Sequence, residues 1–381
     1  MIKKIINLTI YIFSGAFSLT INVPEDFLDI QDAIDFSQDG DTIFVSPGVY
    51  FENINFNGKS IMLSSNYIED NDSLLIGVTI IDAGNEGSVV TFNSGENNNA
   101  ILQGFTLQNG NGNDEDPDNN GSFYTYGGGI YCENSDPLIK DCIIQNNTAN
   151  EGGGAGIFCY DSSPIFFGCT IKENETDDVG GGLYARDGSS PSFFDCIFMD
   201  NTAEFGGGCY LKSSSSPLME NVVFMQNNAN NSGGGIGLKD DANIEASNLT
   251  ISENLAEGLG GGLYINNADP TFSFALIVDN TASSGAGIYI RNNSEIDLTN
   301  ITLANNNAGL YGGGVYMRDN VTVNFTNSVL WNNGSNQIYF RSEGTEVELN
   351  VSYSILENNQ NGVETNNNGD LNWLEGNLDS E

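Results

Sequence analysis

Apolar and polar positions alternate with a period of two along this chain, but only over stretches of three or four residues. These stretches return at a fixed interval. The residue after a glycine triplet (Gly-Ala-Gly in two copies) is apolar, and so is the residue two further on. The pairs are Ile130 and Cys132, Ile157 and Cys159, Leu183 and Ala185, Cys209 and Leu211, Ile236 and Leu238, Leu263 and Ile265, Ile288 and Ile290, and Val315 and Met317. This is the pattern of a short strand with one buried face. A turn follows, often closed by proline (137, 164, 191, 217 and 270), where no ladder donor is needed. A second strand comes next, such as Cys142-Ile143-Ile144 or Cys196-Ile197-Phe198, and ends in an asparagine. Successive triplets lie 25 to 27 residues apart over eight copies, so one structural unit is stacked on itself many times.

The asparagines form a second register: Asn147, Asn174, Asn201, Asn227, Asn254, Asn280, Asn306 and Asn333, spaced 26 or 27 apart. Stacked strands place equivalent residues about 4.8 Å from one another, close enough for Asn side chains to hydrogen-bond along the stack. The glycines fit a bend with positive φ or backbone packed closely against the neighbouring rung. Short strands without a helical period, all in register, predict an all-β solenoid of parallel strands; a sandwich or barrel would not hold one-residue registry over so many units. Earlier strands are expected at Thr42 to Val45, Asn53 to Phe56, Ile61 to Ser64, Val78 to Ile81 and Val89 to Phe92. Phe27, Ile30, Ile34 and Phe36 have the spacing of a short amphipathic helix that would cap the first rung. About a dozen rungs would make a rod roughly 55–60 Å long.

The two ends differ from the repeats. Residues 1–18 run from Lys3 and Lys4 through the apolar stretch Ile5 to Phe13 to Ala16-Phe17-Ser18, the order of a signal peptide and too short an apolar run to span a bilayer. The chain is therefore expected to be exported and not membrane-spanning. It divides into a signal peptide (1–18), an N-terminal cap with the first rungs (19–100), the regular repeats (101–360) and a tail (361–381) that reads as truncated. Removing residues 1–18, which carry two lysines and no acid, moves the formal charge from −40 to −42. Such a chain repels nucleic acid and anionic lipid. The absence of histidine excludes histidine bases, histidine metal sites and Ser-His-Asp triads. Of the six cysteines, Cys142, Cys169 and Cys196 share a repeat position that later holds Val222, Leu249, Ala275 and Ile301, and Cys132 and Cys159 share another. An even count in an exported chain suggests disulfides, but this interchange favours free buried thiols acting as small hydrophobes.

Two stretches carry family resemblances. Asp29-Ile30-Gln31-Asp32-Ala33-Ile34, Gly40-Asp41-Thr42-Ile43 and Gly48-Val49-Tyr50-Phe51-Glu52-Asn53 resemble the N-terminal cap of the pectin-lyase-like superfamily. That resemblance implies a right-handed parallel β-helix. Gly48, Tyr50 and Glu52 also resemble the opening of pectin methylesterases. From Gly104 onward the triplets and asparagines resemble the repeats of polymorphic outer membrane proteins. This implies a secreted or surface protein of a Gram-negative bacterium, associated with the outer membrane and adhesin-like. Asn372 to Asp379 resembles the lead into a final strand and an anchoring or sorting domain, which the chain would then lack.

Chemistry is sparse. The paired aspartates that a methylesterase requires are not found after residue 100, and a Gly-His-Gly of the polygalacturonase kind is impossible without histidine. No catalytic set is assigned. Asp114-Glu115-Asp116-Pro117-Asp118 offers carboxylates to calcium, though a solvated acidic loop reads as well from the same residues. The first strand also carries an aromatic stripe on its outer face: Tyr131, Phe158, Tyr184, Tyr210, Tyr264, Tyr289 and Tyr316. Two residues further on lies a basic stripe, Arg186, Lys212, Lys239, Arg291 and Arg318. Together they would bind an extended glycan, sugars stacking on the tyrosines and anionic groups meeting the cations. In the competing reading the tyrosines stack on one another and the bases pair with Asp187, Asp240 and Asp319. A non-enzymatic glycan-binding or adhesin-like role leads. The alternative is a pectate-lyase-like lyase or hydrolase acting on acidic polysaccharide.

Overall fold

The structure, a computed structural model, describes residues 18–379 apart from 71–72, 118–120 and 335, so all but the last residue of the expected signal peptide lies outside the described residues. The chain winds into a coil of three long parallel sheets. Sheet A has 12 strands and contains those that follow the glycine triplets, such as Leu183–Arg186 and Ile236–Lys239. Sheet B has 14, among them Leu138–Lys140 and Ser192–Phe194. Sheet C has 12, among them Ile143–Gln145 and Ile197–Met199. A fourth, shorter sheet D of seven strands runs from Thr148–Ala149 to Asn307–Tyr311. The sheets continue without a break past residues 100 and 360. Ile101 pairs with Met62, and Gly369–Trp373 pairs with Val347–Ser352, so the tail contributes a strand to the coil.

Each turn therefore has three main strands where the periodicity predicts two. The strand that the pattern misses, in sheet B, sends a single residue per rung into the core: Ile139, Phe166, Phe193, Met219, Ala246 and Phe272. One buried residue flanked by two outward ones is too short to show an alternation. The corners between strands are made by residues with positive φ. Asn134, Asp161 and Asp187 follow sheet A, Asp141, Gly168 and Asp195 follow sheet B, and Asn146, Glu173 and Asp200 follow sheet C. Asn and Asp tolerate this left-handed conformation better than other side chains, which accounts for much of the chain's Asn and Asp content.

The glycine triplet divides its work. The first glycine closes the fourth corner, with φ of 68° at Gly180 and 65° at Gly206. The third needs space. A Cβ on Gly182 would lie 2.4 Å from the carbonyl oxygen of Gly208 on the next rung and 3.2 Å from Nδ2 of Asn201. The second is as crowded where it is glycine, a Cβ on Gly207 lying 2.4 Å from the Asn228 carbonyl oxygen, whereas Ala155 and Ala286 stand there in two copies, both buried.

The asparagines form a continuous buried ladder. The Asn174 backbone N–H donates to Oδ1 of Asn201 (3.2 Å), and its Nδ2 donates to the same oxygen (3.0 Å) and to the Ile144 carbonyl (3.0 Å). The same bonds repeat rung by rung to Asn333, whose Nδ2 is taken by Gln337 at 2.7 Å.

The N-terminal cap is a helix over Ile30–Phe36, three residues shorter than the apolar spacing predicts. Ile30, Ala33 and Ile34 are buried, whereas Phe36 is exposed and packs on Phe27 rather than on the coil. Glu52 receives the backbone N–H groups of Ile30 and Gln31, both at 2.8 Å, and Lys59 donates to the carbonyls of Ile34, Asp35 and Ser37. Opposite charges thus complement both ends of the helix dipole. The Gly-x-Tyr-x-Glu motif accordingly has a structural role here. All six cysteines are free and buried, as the repeat positions predict.

Two outcomes follow from the ladder. Asn227→Ala removes the acceptor of two bonds from Asn201, including that of its buried backbone N–H, and a donor to the Phe198 carbonyl, and should cost about 3 kcal/mol, read as a lowered denaturation midpoint. Asn324→Ala, at an outward strand position, should cost under about 1 kcal/mol. Gly208→Ala and Gly207→Ala should each destabilise by about 3 kcal/mol, since a Cβ would lie 2.6 Å and 2.4 Å, respectively, from a backbone carbonyl oxygen. A neutral effect at either glycine would contradict this close packing.

Candidate functional site

In-register stacking converts the two outer positions of each sheet A strand into columns. Tyr184 lies opposite Phe158 and Tyr210, and Tyr289 opposite Tyr264 and Tyr316. These rings point away from the coil's core, as the alternation predicts, yet they are not an open face. Tyr131, Phe158, Tyr184, Tyr210, Tyr264, Tyr289 and Tyr316 are all buried. Their cover comes from the segment just before each triplet, where Val179, Phe205 and Leu259 lean over them, and from the rings themselves. Tyr264, Tyr289 and Tyr316 stack with centroids 5.8 and 4.8 Å apart. The outward, open stripe expected from the sequence is thus corrected to a covered one, because sheet D and its connections fold back over the rings. Burial pushes the phenols of Tyr131, Tyr184, Tyr210 and Tyr264 up, and that of Tyr316 to about 12, so they remain protonated donors at neutral pH.

The basic column stands at the rim of this aromatic wall. Arg186, Lys212, Lys239, Asn266, Arg291 and Arg318 occupy one position in consecutive rungs. Arg341, which the triplet pattern does not mark, extends the column beyond Arg318, since Phe340 pairs with Met317. Three members are matched by the acid that follows a column residue: Arg186 with Asp187, Lys239 with Asp240 (3.8 Å) and Arg318 with Asp319. Arg341 also reaches Asp319, at 3.7 Å. Lys212 and Arg291 are followed by Ser213 and Asn292, and among the described residues neither forms an ion pair.

Beside the column runs a groove made of two adjoining clefts. One, of about 350 Å³, is lined by Asp178, Tyr210, Lys212, Lys239, Tyr264, Asn266 and Arg291 among others. The second, of about 490 Å³, shares Asp178, Tyr184 and Lys212 and adds Tyr124, Tyr126, Glu151, Asp177 and Arg186. From the rung of Tyr126 to that of Arg291 the groove spans roughly 30 Å. Its far end is framed by an antiparallel hairpin, Asn113–Glu115 with Tyr124–Tyr126, formed by the insertion between repeats. In that insertion Asp116 accepts the Gly121 N–H, and Asp118 lies outside the described residues. No cluster of three or more His, Cys, Asp or Glu side chains suited to a metal is present among the described residues. The sequence-derived stripes lack the groove residues Tyr124, Tyr126, Glu151, Asp177, Asp178 and Asn266, and they lack Arg341 of the column. Asp178 sits in a loop with no periodic signature, whereas Asn266 and Arg341 are legible once the register is known.

Asp178 is the one acid of the groove with a resolved perturbation. Burial pushes its carboxyl above the ordinary 3.8, the charge of Lys212 opposes the rise, and Glu204 adds to it. Because the folded state favours the protonated form, Asp178 ionisation subtracts stability as pH rises from 3.8 through its folded-state value.

The chain belongs to the right-handed beta helix region family, whose model matches residues 118–248, 167–274 and 234–378. Among solved structures it is similar to the mannuronan C-5 epimerase A-module of Azotobacter vinelandii, with 13% identity over 92% of this chain and 93% of that one and a TM-score of 0.46. It is also similar to the pectin methylesterase from carrot, with 12% identity, 97% and 90% coverage and a TM-score of 0.26. A third similar structure is the Siphovirus 9NA tailspike receptor binding domain, with 11% identity, 96% and 77% coverage and a TM-score of 0.24. No curated protein sequence matches the chain.

The charge relation between Asp178 and Lys212 can be measured directly. Carboxylate-detected NMR, assigned by comparison with Asp178→Asn, should give an Asp178 midpoint above 3.8, and Lys212→Met should move it further up. A downward move would contradict the arrangement.

Proposed function

We propose that this protein is an exported β-helical surface or secreted protein that binds an anionic glycan along the groove, without transforming it. One observation carries the reading: in a chain of net charge −40, a single column of sheet A concentrates Arg186, Lys212, Lys239, Arg291, Arg318 and Arg341, and two of these, both lining the 350 Å³ cleft, form no ion pair among the described residues. The groove adds tyrosine rings, acids and an amide, which together suit a hydroxyl-rich, negatively charged chain rather than a fatty or purely ionic ligand.

The overall charge also sets how binding depends on salt. Repulsion between the acidic rod and a polyanion acts over long distances and is screened first, since the Debye length is about 10 Å at 0.1 M salt. Contacts inside the groove are short and partly buried, and outlast that screening. Affinity should therefore pass through a maximum as salt is raised.

Calorimetry against polygalacturonate, alginate and a neutral dextran, with and without calcium, tests the reading. It predicts binding to a polyanion but not to dextran, and a loss of about tenfold or more in Lys212→Met/Arg291→Met. Failure of the folded protein to bind any polyanion would overturn it. Release of ultraviolet-absorbing unsaturated product in the same mixtures would establish the lyase alternative instead.

A further inference from the structure

The aromatic column of sheet A is interrupted at one rung. Between Tyr210 and Tyr264 the position is held by Gly237, and the rings on either side belong to separate packed groups. The Tyr210 ring leans into the interval: a Cβ on Gly237 would lie 2.7 Å from its Cδ2. The covering position is cut back on the same rung, where Ser232 stands in register with Phe205 and Leu259 of the rungs on either side. Floor and wall side chains are thus removed together, and the 350 Å³ cleft opens there.

A second, independent feature converges on the same place. Lys212 and Arg291, the two cations of the column that form no ion pair among the described residues, lie on either side of this interval, and Asn266 replaces a cation between Lys239 and Arg291. With the Asn292 amide oriented to accept, its neutral side-chain oxygen takes the Arg291 Nε–H at 2.9 Å and an Nη2–H at 3.2 Å, and no ion pair to Arg291 is present among the described residues. The cleft combines two aromatic walls, positive charge, an amide and the Asp178 carboxylate.

We infer that the Gly237 interval is an anchoring subsite for one sugar ring bearing an anionic group, a carboxylate or a sulfate. The ring lies against Tyr210 or Tyr264, its anion is within reach of Lys212 and Arg291, and its hydroxyls meet Asn266 and Asp178. This rests on the groove reading above and deepens it. The rest of the basic column then guides a longer chain, while the interval fixes its position.

Binding of short uronate oligomers, short sulfated oligomers and a neutral galactan to three proteins tests the inference: wild type, Gly237→Tyr and Asn266→Arg. Gly237→Tyr fills the gap in the aromatic column, displacing the Tyr210 ring, and the folded variant should bind anionic oligomers about tenfold or more weakly. Asn266→Arg adds a cation but narrows the cleft, so the subsite predicts weaker binding and a groove acting through charge alone predicts tighter binding. If Gly237→Tyr fails to fold, Asn266→Arg decides. Undiminished binding by folded Gly237→Tyr, or tighter binding by Asn266→Arg, overturns the subsite and leaves the groove standing. Failure of wild type to bind either anionic series overturns the groove itself. The series retained by wild type identifies the anion as carboxylate or sulfate.

Discussion

The coil depends on one close contact: the third glycine of each triplet packed against the next rung's backbone and against the amide of a buried asparagine. At Gly208 the space a Cβ would need is occupied by the Gly235 carbonyl at 2.6 Å and by Asn227 Nδ2 at 3.1 Å. That asparagine is in turn fixed by its own ladder, with Nδ2 bonded to Asn254 and to the Phe198 carbonyl, both at 3.0 Å. A larger residue at the glycine would push the rung off the ladder. A different residue in the ladder would leave buried backbone groups unpaired, which costs more than the bond itself contributes. Each feature thus makes the other necessary, and the repetition of both holds the register to a single residue.

Register is what turns a repeat into a surface. A position that faces outward once faces outward at every rung, about 4.8 Å from its copies. Apolar residues placed there become a packed aromatic column, and basic residues become a line of like charges. Such a line is costly, because directly opposed like charges in neighbouring strands repel. Asp187, Asp240 and Asp319 offset part of that cost for their neighbours. Lys212 stands opposite Lys239 and has no ion-pair partner among the described residues, though the Asp178 carboxylate in the groove offsets part of its charge.

Much of this was legible in the chain itself. The triplets gave sheet A, the asparagines gave the ladder, and the interchange of Cys with Val, Leu, Ala and Ile gave the buried thiols. Sheet B was not legible, because Phe193 and its equivalents are lone core residues between two outward ones. The cover over Tyr184 and Tyr210 was also hidden, since Val179 and Phe205 lie in connections whose direction no periodicity sets. The stacking-and-pairing reading of the stripes holds in part: the tyrosines stack and three bases pair with their flanking acids, while Lys212 and Arg291 form no ion pair among the described residues. The break at Gly237 was visible in the sequence as a missing aromatic. Its meaning depended on Ser232 and Tyr210, whose places relative to it only the fold supplies.

The central claim is that the groove beside the basic column, in the cleft that Tyr210 and Tyr264 line, is where this coil meets its ligand. A crystal structure of the protein soaked with a uronate oligosaccharide tests it most directly. The account predicts electron density for a sugar ring at Gly237, with its acidic group near Lys212 or Arg291. An oligosaccharide bound elsewhere on the rod, with that interval holding only water, would contradict it.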